Sequence, residues 1–156
     1  MREHWLEDLA VGRRFTTGSV AVTAEDIKAF AALYDRQAFH LDEEAARDTV
    51  FAGLAASGWH TAALSMRLLT EAGTPFAGGI VGAGGEISWP RPTRPGDVLT
   101  VEVEIVEVTR SRSRPDRGIV TVRNDTRNQA GEVVQRLVAK LVVSSRPVGG
   151  VDGPQP

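Results

Sequence analysis

Only one stretch of the chain, Trp59 to Leu69, carries apolar residues on nearly every face of a helix. Trp59, Ala62, Ala63, Met66 and Leu69 fall on one side at helical spacing, and Leu64 and Leu68 make much of the opposite side apolar. Such a helix has no side to give to water, so the rest of the chain must surround it. Ser57-Gly58 precedes it, with Ser57 placed to cap its start, and Gly73-Thr74-Pro75 is placed to end it.

The surroundings read as sheet. From Ile80 onward every segment has strand or turn character. Glu86-Ile87-Ser88-Trp89 alternates, and Pro90, Pro92 and Pro95-Gly96 break the chain before Val98. Val101, Val103 and Ile105 alternate with Glu102 and Glu104, and the phase then slips at Ile105-Val106, which predicts a β-bulge in a bent strand. Arg117 to Thr126 and Glu132 to Val143 predict two further strands, joined by the turn Asn128-Gln129-Ala130-Gly131. Upstream, Gly12 to Val22 reads as a first strand. Thr23 then caps a helix with acids Glu25 and Asp26 in its first turn and one apolar stripe, Ile27, Phe30, Ala31 and Tyr34. A polar loop, Asp35 to His40, and a short acidic turn or helix, Asp42 to Arg47, complete this part.

One apolar helix and a meander of five or six strands predict an α+β domain over residues 1–146. Its curled antiparallel sheet wraps a central apolar helix, the arrangement called the hot-dog fold. The Gly/Pro-rich end, Pro147 to Pro156, is expected to be a disordered tail. One sheet around one helix leaves an unpaired edge and an open flank, so a homodimer or a dimer of dimers is expected.

Composition narrows the chemistry. A chain of 156 residues buries enough surface to fold without staples, and its lack of cysteine excludes disulfides, thiolate metal sites and thiol nucleophiles. Eighteen basic against 20 acidic side chains give a net charge of −2, which offers nothing to nucleic acid. No apolar run approaches the roughly 18 residues of a membrane span, and Met1 to Ala10 lacks the apolar centre of a signal peptide, so a cytoplasmic protein without a membrane partner is expected. Imidazole chemistry must come from His4, His40 or His60. His4 lies in the N-terminal lead and is expected to be exposed. His60, beside Trp59, is expected to be a hydrogen-bonded core histidine.

That leaves Asp35 and His40, five residues apart in one loop. Loops beside a rigid element are where acid–base groups are held, although the spacing alone better fits a helix-ending aspartate and a solvated histidine. The surrounding residues carry more. Asp35-Arg36-Gln37-Ala38-Phe39-His40-Leu41-Asp42 resembles the Asp-x-Asn-Pro-x-His-x-Asp segment of the MaoC-like hot-dog dehydratases, whose best-known members are (R)-specific enoyl-CoA hydratases. Thr49-Val50-Phe51-Ala52-Gly53-Leu54-Ala55-Ala56-Ser57-Gly58 follows at the family's spacing, where Thr-x-Phe-Gly leads to Ala-His-Gly. Pro92-Thr93-Arg94-Pro95-Gly96-Asp97 resembles the family's Pro-Val-x-x-Gly-Asp turn, and the likeness runs from about Gly12 to Val143.

The resemblance implies reversible hydration of a 2-enoyl thioester. Asp35 and His40 would jointly hold the water, and the backbone N–H of Gly58 would meet the enolate-like oxygen, with Ser57, Trp59 and Met66 as substrate contacts. The implied substrate is an acyl-CoA or an acyl-carrier-protein thioester, and no cofactor is implied beyond the coenzyme A of the substrate. Several departures from the family matter. Gln37 replaces its Asn and Ala38 its Pro, Ser57 replaces the His before glycine, and Met66 stands where several members carry a serine. A thioesterase, in which water attacks the thioester carbonyl, and a noncatalytic acyl-CoA-binding or dimerisation subunit are the alternatives. The basic cluster Arg110 to Arg117 reads as a solvated hairpin loop, with phosphate contact as its sharper reading.

Overall fold

The computed structural model describes residues 3–72 and 76–147. A single turn of 3-10 helix, Leu6–Asp8, leads into strand β1, Arg14–Ala21. Helix α1, Ala24–Tyr34, starts where Thr23 accepts a hydrogen bond from the Asp26 N–H at 3.0 Å. Two short helices, α2 (Ala38–Leu41) and α3 (Glu43–Arg47), precede the long helix α4, Gly58–Glu71. Strands β2 (Val81–Ser88), β3 (Val98–Arg110), β4 (Arg117–Arg127) and β5 (Val133–Ser144) complete the chain.

The five strands form one antiparallel sheet in the order β1-β3-β4-β5-β2. The phase slip in β3 is the predicted bulge. Ile105 faces Val122 while Glu107 faces Thr121, so one extra residue bends the strand there. Further register shifts lie between Thr16 and Ser19 and between Gly82 and Gly84, and they add to the curl of the sheet. Leu99, Val101, Val103 and Ile105 of β3, with Val120 and Val122 of β4, form the concave apolar face.

Helix α4 packs into that face against β1, β3 and β5, but not with the apolar side its sequence suggested. The residues it buries are His60, Thr61, Ser65, Leu68 and Leu69, whereas Trp59 and Met66 are 60% and 43% exposed. Polar side chains are admitted because they pair. Ser65 bonds the Thr61 carbonyl and the Thr126 hydroxyl, each at 2.7 Å, and Thr61 donates to Thr93 Oγ1 at 2.9 Å.

Other expectations are corrected as well. Ile27 and Ala31 of α1 are fully buried, but Tyr34 at the end of the stripe is exposed. His4 is half-buried. It packs on the Phe15 ring and lies 2.8 Å from Arg13 through Nε2, because the N-terminal lead pairs backbone with Phe76. The proposed stop at Gly73-Thr74-Pro75 and the tail after Pro147 lie outside the described residues. Among the described residues, no helix is long and apolar enough to cross a membrane.

Candidate active site

Asp35 ends α1, its N–H bonding back to the Ala31 carbonyl. His40 lies on α2 and not in an open loop. Ala38 takes the first helical position there, where the family's proline is also at home because that N–H has no intrahelical partner. The substitution therefore preserves the turn that carries His40. The last motif residue, Asp42, caps α3 by accepting from the Ala45 N–H at 2.7 Å.

The two chemical groups meet. His40 Nε2 lies 3.3 Å from Asp35 Oδ2, with side chains 5% and 16% exposed. On its other side His40 Nδ1 lies 2.6 Å from the Ala55 carbonyl, which can only accept, so Nδ1 carries a proton. In the neutral ring, Nε2 is then an acceptor facing a carboxylate. Phe39 meets the imidazole edge-on at 4.5 Å and Phe51 packs at 5.9 Å, fixing the ring.

Asp35 is held from two further directions. The Ser57 hydroxyl donates to Oδ2 at 2.6 Å and the Gln37 amide donates to Oδ1 at 2.7 Å. Burial pushes the Asp35 carboxyl up, but the bonds from Ser57 and Gln37 and the neighbouring His40 outweigh it and hold the group below the usual carboxylate range. Gln37 thus bonds within the site despite its longer side chain. Ser57 also caps α4, accepting from the Trp59 N–H at 3.3 Å, so one hydroxyl ties the helix to the carboxylate.

These residues line a cavity of about 370 Å³ with Gly58, Trp59, Trp89 and Thr93. Gly58 is the first residue of α4, where an N–H finds no carbonyl within the helix. A Cβ on it would lie 2.5 Å from the Trp89 indole, so only glycine fits under that ring. Met66 lies elsewhere. It lines a second cavity of about 450 Å³ between α4 and the sheet, which Trp59 also borders. His60 is buried as expected, but its Nδ1 has no hydrogen-bond partner among the described residues and its ring stacks on Phe30 at 4.7 Å. Arg110 and Arg117 pair with Glu7 and Asp116 on the exposed β3–β4 hairpin, and no residue of that cluster lines either cavity.

Sequence reasoning missed two residues. Locally Trp89 reads only as part of an alternating strand, although an aromatic just before a proline-rich turn marks a side chain free to leave the sheet plane. Arg94 reads only as a turn residue. Its guanidinium donates to the carbonyls of Gly53 (3.0 Å), Leu54 (3.2 Å) and Phe51, clamping the segment between α3 and α4 that also carries the Ala55 acceptor of His40.

Similarity to known proteins agrees with this geometry. Residues 9–137 match the FAS1-like family, dehydratase domain region. The chain is 62% identical to a MaoC-like dehydratase from Rhodospirillum rubrum whose crystal structure superposes with a TM-score of 0.91, covering 93% of this chain and 99% of that one. It is 33% identical to the 3-hydroxybutyryl-CoA dehydratase of Methylorubrum extorquens over 116 residues, 73% of this chain and 71% of the relative. An (R)-hydratase from A. caviae is 28% identical with a TM-score of 0.68, covering 90% of this chain and 99% of that chain. The sheet curled on one helix, the Asp35–His40 motif and these likenesses make the chain a member of the MaoC-like hot-dog dehydratases.

Proposed function

We propose that the protein catalyses the reversible hydration of 2-enoyl-CoA to (R)-3-hydroxyacyl-CoA. The observation that carries this reading is the convergence of two acceptors, Asp35 Oδ2 and His40 Nε2, 3.3 Å apart on a cavity that Gly58 also lines. A water molecule placed there satisfies both acceptors with its two O–H bonds, which leaves its oxygen lone pairs directed at the substrate. The oxygen bonds to carbon 3, and the π electrons of the double bond move onto the thioester oxygen. One water proton passes to the Asp35–His40 pair. The enolate then collapses and carbon 2 takes a proton from the same pair, so the pair ends as it began. Water and substrate supply every atom, and no further cofactor enters.

Gly58 serves the intermediate. Its N–H at the start of α4, with the positive end of the helix dipole behind it, suits the developing oxyanion. Ser57 and Gln37 keep Asp35 ionised and aimed. A noncatalytic acyl-binding subunit would need a filled pocket or a separated pair, and Asp35 and His40 lie together on an open one.

The test is a dual assay. Crotonyl-CoA incubated with the protein should lose its conjugated absorbance without releasing thiol, and chiral analysis should return the (R)-3-hydroxy product. Thiol release would instead identify a thioesterase, and silence at every chain length would remove both activities. Asp35→Asn should lower kcat by about 10²-fold or more with circular dichroism unchanged. Activity near wild type would take Asp35 out of the mechanism.

A further inference from the structure

The second cavity has no role in the scheme above. It is mostly apolar, formed by Met66 and Leu69 of α4 and by sheet residues such as Ile87, Val122 and Leu137, and among the described residues no charged side chain lines it. Its size falls within the range of small-ligand pockets. Trp59 borders both this cavity and the one holding Asp35 and His40.

The Trp89 indole lines the reaction cavity and reaches the second one through Gln135. Its face lies so close over Gly58 that a Cβ there would approach three ring atoms within 2.8 Å. Its edge meets Trp59 at 5.4 Å, near perpendicular. Its N–H donates to Gln135 Oε1 at 3.0 Å, and Gln135 is 1% exposed and donates in turn to Ser65 Oγ. Trp89 lines the reaction cavity and Gln135 the second one, so this hydrogen bond crosses the wall that divides them. A ring held by a buried amide on one edge and packed on a helix start cannot swing aside without breaking both contacts.

We propose that Trp89 is the residue that sets acyl-chain length, closing the reaction cavity at a short acyl group and withholding the apolar space beyond it. This rests on the thioester reading above. With the indole in place, a short acyl chain sits beside Asp35 and His40, and a longer one must pass Trp89. Removing the ring joins the cavities, and the added methylenes of a longer chain then leave water. Burying about two more methylenes is enough for a tenfold gain in affinity.

Calorimetric binding of the unreactive thioesters butyryl-CoA and octanoyl-CoA tests this apart from catalysis. Wild type should bind butyryl-CoA at least as tightly as octanoyl-CoA. Trp89→Ala, or Trp89→Leu if the first does not fold, should shift the ratio at least tenfold toward octanoyl-CoA. Trp89→Phe, which keeps a wall but not the N–H bond, should hold the wild-type ratio. An unchanged ratio in a folded small-residue variant, the same shift in Trp89→Phe, or a wild type that already prefers octanoyl-CoA would each overturn the assignment while leaving the hydratase reading standing. If wild type binds neither thioester, the thioester reading fails and this one fails with it.

Discussion

Asp35 and His60 are both removed from water, with opposite outcomes. Asp35 has two neutral donors and an imidazole around it, so its charged form is favoured in the fold. His60 has only desolvation to respond to, and burial pushes it below the ordinary value of 6.5, with Asp26 acting weakly the other way. For a histidine with a depressed folded pKa, the unfolded chain binds the proton first as pH falls. Stability contributed by neutral His60 is therefore present above about pH 6.5 and declines below it. Asp35 acts in the same direction further down, below its unfolded value near 3.8. Urea midpoints measured from pH 7.5 to 5 should fall for wild type and fall less for His60→Gln; parallel profiles would clear His60 of the effect. At this scale the sequence was informative about identity and silent about partners. The motif around Asp35 and His40 pointed to the pair, which their five-residue spacing alone did not, but Ser57 comes from 22 residues further along and reads locally as a cap alone.

At the scale of elements, the segment between α3 and α4 is the least regular and the most constrained. Ala52 has φ 51°, a left-handed conformation in which a side chain is strained, at the position where the family motif carries glycine. The Ala55 N–H bonds the Phe39 carbonyl and the Ala56 N–H bonds the Thr93 carbonyl, so the segment is stitched to both neighbours. Arg94 adds its fork across Phe51, Gly53 and Leu54, and Asp97 accepts from the Arg94 N–H at 2.8 Å to hold the turn that presents it. Arg94→Gln should cost about 1–3 kcal/mol in denaturant unfolding, since several carbonyls lose a charged donor. It should also lower kcat/KM about tenfold or more by loosening the Ala55 acceptor that fixes the His40 ring. Arg94→Lys should recover little, because an ammonium cannot span three carbonyls as the planar fork does. Wild-type stability and turnover in both variants would remove the clamp from the account. Helix α4 shows the same limit of local reading. Its periodicity marked it correctly as the central helix, but which side it buries was decided by hydroxyl partners on β4 and on the turn before β3.

The whole molecule leaves two strands, β1 and β2, at the edges of its sheet. Strand β2 pairs only with β5, is exposed along almost its whole length, and carries Gly82, Gly84 and Gly85 with a single charge, Glu86. An exposed, nearly uncharged edge of that kind favours pairing with a second copy. The protein should therefore run at twice the chain mass in light scattering at micromolar concentration, and Val81→Lys should weaken the dimer at least tenfold. A monomer at every concentration would exclude pairing through this edge. The outer face of the sheet is closed to such contact by charge, since Arg136 grips the buried Asp125 at 2.6 and 2.7 Å with Arg123 and Arg127 alongside. By itself the sequence determined the order of the long elements, the bulge in β3, the caps at Thr23 and Ser57 and, through its motif, the Asp/His pair, because each of these is written within a few neighbouring residues. Its lack of cysteine and scarcity of histidine likewise limited the chemistry before any fold was known. The tertiary structure alone decided that α4 buries hydroxyls and leaves Trp59 at the surface, that Arg94 clamps carbonyls 40 to 43 residues away, and that Trp89 packs on Gly58 and bonds Gln135 across 46 residues. Those partners are brought together by strand pairing and the curl of the sheet, and no local period or spacing records them.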